Sequence, residues 1–136
     1  MKVSFLTLSL LLASSLSAKD LVYDQTTKLY WADNVASKSL TTTYENAEEY
    51  CRNLVIGTHE NFRLPSLYEL SSLVDYRRYK PAILQGFENV DNAVYWSTTP
   101  FADDADRTWA VNFENGKTDI ISKSYDRHLR CVESSN

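Results

Sequence analysis

Phe62-Arg63-Leu64-Pro65-Ser66-Leu67-Tyr68-Glu69-Leu70 reads as a helix start specified several times over. The Ser66 hydroxyl is placed to accept from the Glu69 amide, while the Glu69 carboxylate reaches back to the Ser66 amide. This is a capping box. Pro65 keeps Leu64 extended, so the helix cannot begin earlier. Leu67, Leu70, Leu73 and Val74 then recur at helical spacing, which predicts a helix from Leu67 to about Asp75 with one apolar stripe. Arg63, fixed just before that start, has Glu69 or Asp75 as expected partners and a structural role.

Working outward, Thr42 and Glu45 make a second candidate capping box, and Tyr44, Ala47, Cys51 and Leu54 share one helical face behind it. Gly57 is the expected stop. Asp20 to Asp24 and Lys28 to Ala32 read as short extended pieces joined by the polar turn Gln25-Thr26-Thr27. Ser37 to Thr43 reads as an exposed loop. Tyr76 to Asn92, punctuated by Pro81 and Gly86, reads as irregular. Ala93 to Thr98 has strand composition. Trp109, Val111 and Phe113 alternate with Ala110 and Asn112, the pattern of a strand buried on one face. Glu114-Asn115-Gly116-Lys117 then carries a strong hairpin signal, its partner strand running from Thr118 to Lys123. His128 to Glu133 is expected as one last strand. The reading is an α+β domain: two helices packed on a small antiparallel sheet, closed by a C-terminal hairpin and meander.

The N-terminus has the pattern of a secretory signal peptide. Lys2 precedes sixteen uncharged residues, Val3 to Ala18, with an apolar centre and a small residue at Ala18. That run is shorter than the roughly 20 residues of a membrane-spanning helix. Cleavage after Ala18 leaves residues 19–136 as one domain, with no membrane span and 13 basic against 18 acidic side chains, a net charge of −5. Such a balance argues against general nucleic-acid binding. Nine Tyr, three Trp and four of the five Phe (Phe5 lies in the N-terminal run) provide the core material. Cys51 and Cys131, both in the exported part, are expected to pair. The expected location is therefore the periplasm, the medium or the cell surface.

In this order the motifs resemble the Lcl C-terminal domain, a bacterial exported module. The resemblance rests on Asp24 to Trp31, on Glu49-Tyr50-Cys51, and on Phe62 to Ser66 with Glu69-Leu70 and Leu73-Val74-Asp75. It continues through Asn89, Tyr95-Trp96-Ser97-Thr98, Trp109 to Phe113 with Gly116, and Arg130-Cys131-Val132. It spans residues 20–133. Lys28 stands where the family usually has Gly, which suggests a different turn there; Phe62 stands where it usually has Trp. The resemblance implies a C-type-lectin-like fold related to the formylglycine-generating architecture. It also implies, by analogy, ligand binding such as adhesion to sulfated polysaccharides.

Tyr76-Arg77-Arg78-Tyr79-Lys80 is the one basic cluster in an acidic chain. Arginine forks suit sulfate or carboxylate, and tyrosine rings suit sugar faces, so this is the candidate ligand-binding segment. A solvated connector is the plainer alternative. Asp103, Asp104 and Asp106, with Asn89, Asp91 and Asn92 upstream, form a candidate Ca²⁺ site. Their spacing matches no calcium loop, so an ordinary acidic loop is preferred and no cofactor is expected. Trp31, Trp96 and Trp109 are assigned to the core. His59 and His128 have no nucleophile motif beside them, and no enzymatic activity is expected. The leading expectation is a binding module for a polysaccharide or a protein of the cell envelope. The alternatives are a structural part of an envelope assembly and a formylglycine-style enzyme with reduced cysteines. The oligomeric state is not legible.

Overall fold

In the computed structural model of the chain, residues 20–134 are described. The segment expected to be a signal peptide lies outside them. The strands are β1 (Leu21–Asp24), β2 (Leu29–Ala32), β3 (Thr41–Thr42), β4 (Phe62–Arg63), β5 (Val94–Phe101), β6 (Asp104–Asn112), β7 (Thr118–Ser122), β8 (Arg127–His128) and β9 (Val132–Glu133). The helices are α1 (Val35–Ser39), α2 (Tyr44–Asn53) and α3 (Leu67–Ser71). Among the described residues the architecture is α+β, with three helices and two sheets rather than two helices on one sheet. One sheet has the order β1-β2-β9-β4 and the other β3-β8-β5-β6-β7. All pairings are antiparallel except β5 with β8.

The opening hairpin forms as expected, and Tyr23 pairs with Tyr30 across it. Lys28 has φ +62°, the left-handed conformation that glycine favours, and its amide donates to the Asp24 carbonyl at 2.7 Å. A glycine-like backbone turn is thus kept by a lysine. The expected loop after it is instead the short helix α1. Asn34 caps it by accepting from the Ser37 amide at 3.1 Å, and Ser37 is buried. A Ser/Thr-rich composition hid an Asn cap, which acts through its own side chain rather than through periodicity.

Helix α2 starts one residue later than expected. Its cap is Thr43, with no side-chain bond, so the Thr42–Glu45 box is not formed. Ala47 and Cys51 are buried as the spacing requires. Gly57 does not end the helix. It sits at φ +61° in a turn where Ile56 and His59 exchange both backbone bonds at 2.9 Å. Helix α3 keeps its predicted start but stops at Ser71. Val74 leaves it to bridge Ile83, and the Leu84 amide donates to the Leu73 carbonyl at 2.8 Å. Tertiary pairing there overrides a favourable helical pattern.

The two sheets divide two cores between them. Ala32, Ala47, Cys51, Phe62, Leu64, Trp96, Ala110, Leu129 and Cys131 form one cluster beneath α2. Leu29, Trp31, Leu70, Leu73, Ile83, Tyr95, Val111, Phe113 and Val132 form the other beneath α3 and the central connection. Neighbours in sequence alternate between them: Trp31 with Ala32, Tyr95 with Trp96, Ala110 with Val111, Cys131 with Val132. β6 is therefore covered on both faces, not one. Trp109, assigned to the core, is only half-buried and sits edge-on to Phe101 at 6.1 Å. The pairing of β5 with β6 shifts register between Trp96 and Pro100. There the Ser97 hydroxyl donates to the Trp109 carbonyl at 2.6 Å, and Thr108 reaches the carbonyls of Ser97 and Thr99. Two buried hydroxyls thus satisfy backbone groups that the broken ladder leaves.

The loop after β6 is longer than a two-residue Asn-Gly turn. The Asn112 amide donates to the Lys117 carbonyl and the Gly116 amide to the Asn112 carbonyl, which turns Phe113 inward beneath Tyr95. Gly116 has φ +86°, and a Cβ there would lie 2.6 Å from Val74 Cγ1. The expected final strand is two pieces. β8 belongs to one sheet and β9 to the other, and Leu129-Arg130-Cys131 carries the chain between them. Cys51 and Cys131 are disulfide-bonded and buried, tying α2 to that crossing over 80 positions of sequence.

Candidate functional site

The capping box at α3 is present with both reciprocal bonds. Glu69 accepts from the Ser66 amide at 2.9 Å and takes both ends of the Arg63 guanidinium at 2.8 and 2.9 Å. The Arg63 bonds, ahead of the Ser66 bonds and against burial, hold the Glu69 carboxyl below its usual range. The other expected partner, Asp75, is taken by Arg77. Arg63 also donates to the Ser134 hydroxyl at 3.0 Å. Pro65 accepts from the Thr98 amide at 2.8 Å, fixing α3 against β5. Arg63, Pro65, Ser66 and Glu69 are thus architectural. Trp96 is fully buried, donating to the Thr42 carbonyl at 2.9 Å.

Behind α3 the chain enters the 75–92 connection, whose backbone is held firmly. The Asp75 amide donates to the Ala82 carbonyl, Arg78 to Asp75, Lys80 to Glu114, and Ala82 to Phe113. Between those anchors all five side chains from Tyr76 to Lys80 face solvent, with Tyr76 76% and Tyr79 64% exposed. Arg77 lies on Asp75 through two bonds of 3.0 and 3.1 Å. Lys80 is 3.8 Å from Glu114 and lies over the Tyr79 ring at 5.3 Å. Arg78 pairs with no carboxylate among the described residues. Five adjacent side chains are thus exposed together, and two of the three cations have acidic neighbours.

The acidic residues are not gathered. Asp103 and Asp104 lie at the tip of the β5–β6 hairpin, Asp106 just inside β6. Asn89, Asp91 and Asn92 lie before the start of β5. A strand of eight residues separates the two groups, about 25 Å at the usual rise. Asp104 accepts from the Asp106 amide at 2.9 Å and from Arg107 at 3.1 Å. Among the described residues no three His, Cys, Asp or Glu side chains cluster as a metal site would require.

What the sequence reading missed is a buried polar brace. Arg130 is fully buried and donates to the Ala32 carbonyl at 2.7 Å, to Asp33 at 2.9 Å and to the Asn89 carbonyl at 2.6 Å. The carboxylate of Asp33, itself buried, also accepts the backbone amides of Glu88 and Asn89. The Asn89 side-chain amide donates to the Asp33 carbonyl at 2.6 Å. Asn89, grouped in the sequence with the candidate Ca²⁺ residues, instead reaches 56 positions back in sequence. Beside this brace His128 stacks on Tyr95, with ring centroids 5.0 Å apart, and contacts Asp91 at 3.2 Å. Burial holds the His128 pKa below its ordinary value, partly offset by Asp91. The only hint in the sequence was an arginine inside the apolar run Leu129 to Val132.

The Lcl C-terminal domain family model matches residues 20–133. The chain belongs to this family. No curated protein matches the chain. Membership accounts for the order of motifs, from the Arg63–Glu69 helix start to the Arg130-Cys131-Val132 crossing. The disulfide is consistent with an exported Lcl C-terminal domain. No helix among the described residues is long and apolar enough to cross a membrane.

Proposed function

We propose that this Lcl C-terminal domain is an exported, non-enzymatic binding module of C-type-lectin-like fold. Its ligand is an anionic polysaccharide or an acidic protein surface at the cell envelope. The observation that carries this reading is the display of Tyr76 to Lys80: a backbone bonded on both sides, with every side chain facing water. A rigid support lowers the entropy lost on binding. Arg78 and Arg77 present planar forks suited to sulfate or carboxylate, and Tyr76 and Tyr79 present ring faces. The Asp75 carboxylate pre-orients Arg77 through two bonds. The apolar N-terminal run and the disulfide support export, and the bonded cysteines leave no thiol for formylglycine-style chemistry.

Retention on a heparin column and a glycan array tests the reading. Arg77→Ala with Arg78→Ala should elute at lower salt than the parent, and Tyr76→Ala with Tyr79→Ala should lower array signals. Unchanged retention of the double arginine variant removes the segment from consideration. Silence on every array, with an envelope protein co-purifying, favours the assembly role instead.

A further inference from the structure

A second exposed feature lies on the other sheet. Continuing the pairing of Trp31 with Val132 by one position sets Tyr30 beside Glu133, which pairs with Phe62. Tyr23, Tyr30, Glu133 and Phe62 therefore form one rung on a single face of that sheet. Further along the same face, Ala32, Leu64 and Cys131 are buried beneath α2. The helix ends at Asn53; Phe62 is still buried, and the Tyr23–Tyr30 end of the rung reaches the surface. The Ile56–His59 turn lays the His59 ring over the rung. The ring centroids of Tyr23 and Tyr30 are 4.7 Å apart, and those of Tyr30 and His59 are 4.5 Å apart. Tyr23 and Tyr30 are 45% and 37% exposed.

The platform is rigid and borders a polar hollow. His59 Nδ1 lies 2.9 Å from Glu133 Oε1, which fixes the ring and leaves Nε2 without a partner among the described residues. Arg52, Thr58, Glu60, Asn61, Glu133 and Ser134 line an open hollow of about 550 Å³. The lining sets the Glu60 and Glu133 carboxylates against the single Arg52 guanidinium, a balance that does not favour an anionic ligand. The lining contains donors and acceptors together, which is what a ligand rich in hydroxyl groups needs. Flat rings beside a few convergent polar groups suit a pyranose, whose C–H face is apolar and whose rim is polar.

The geometry points to a site for an uncharged oligosaccharide, one sugar ring packed against the exposed Tyr23 ring and the edge of Tyr30, which are tilted 48° to each other, with its hydroxyl groups turned into the hollow at Glu133 and Asn61. This site differs from the Tyr76–Lys80 segment in position and in ligand charge. Its test is an amide NMR titration of the mature protein with maltotetraose, cellotetraose and chitotetraose. At least one should move the signals of Tyr23, Tyr30, His59 and Asn61, with a midpoint of about 1 mM or below. Tyr30→Ala should weaken that binding roughly tenfold, the effect of about 1.4 kcal/mol. Tyr30→Phe, which keeps the ring, should bind nearly as the parent does, and both variants should elute from heparin with the parent. If none of the three sugars moves these signals, or the shifts fall on residues 76–80, the inference is overturned. Loss of heparin retention in Tyr30→Ala would overturn it too, because the platform would then belong to the anionic site.

Discussion

Two arginine–aspartate pairs in this domain have the same chemistry and opposite consequences. Arg130 and Asp33 are buried and join the two ends of the chain to the 87–92 segment. Arg77 and Asp75 lie two positions apart, and the Arg77 side chain is 89% exposed. Taking charges out of water is costly, so the buried pair is locked by backbone partners on both guanidinium amino groups, with Arg130 Nε alone left unbonded. Water and salt reach the Arg77 end of the other pair, whose Asp75 side chain is only 10% exposed, and that end only orients a side chain for a visitor. Burial, not the contact itself, decides which pair holds the fold and which is available for binding.

The comparison can be broken at its covalent support. The Cys51–Cys131 bond anchors the crossing next to Arg130 and closes a span of 80 positions. Loop entropy predicts that Cys51→Ala with Cys131→Ala loses about 4–5 kcal/mol in urea unfolding. A loss below about 1 kcal/mol would mean that the non-covalent brace alone organises this region. Arg130→Met should cost about 3–5 kcal/mol, because it leaves the buried Asp33 carboxylate without its cation. If the urea midpoint barely moves, the brace is not the support assigned to it here.

A smaller effect sharpens the contrast through pH. His128 has its folded pKa below the ordinary 6.5 because burial disfavours the cation. As pH falls below 6.5 the unfolded chain takes up this proton first, so stability present above 6.5 is lost progressively on acidification. The urea midpoint should drop between pH 7 and pH 5.5, and His128→Gln should flatten that part of the profile. Equal slopes in parent and variant would contradict it. The Glu69 carboxyl, held below 4.5, contributes above 4.5 and loses that contribution only at lower pH. At the small end, Arg77→Ala should leave the urea midpoint where it is and act only on ligand retention. A measurable loss of stability would erase the distinction between the two pairs.

The helix start at Ser66 was readable because its partners lie within three positions. The strand at Trp109 to Phe113 was also readable, since alternation is local, yet its second covered face was not. Helix α1 escaped because Asn34 and Ser37 carry no hydrophobic period. The early end of α3 escaped because its cause, Ile83, lies beyond the helix. The candidate segment Tyr76 to Lys80 was found as a charge cluster. Its exposure and its anchoring by Phe113 and Glu114 could not be read there. The aromatic platform was invisible, since Tyr23, Tyr30 and His59 meet only through strand register.

By itself the sequence determined the cap at Ser66, the opening hairpin, the pairing of two cysteines and the membership of a family, all resting on near neighbours, on cysteine count or on motif order. Tertiary structure alone decided that the last strand divides between two sheets, that Arg130 is sealed inside, and that two tyrosines remain outside. Those outcomes depend on which distant segments pack together and on whether a charge meets water, and neither quantity is a property of a short stretch of chain.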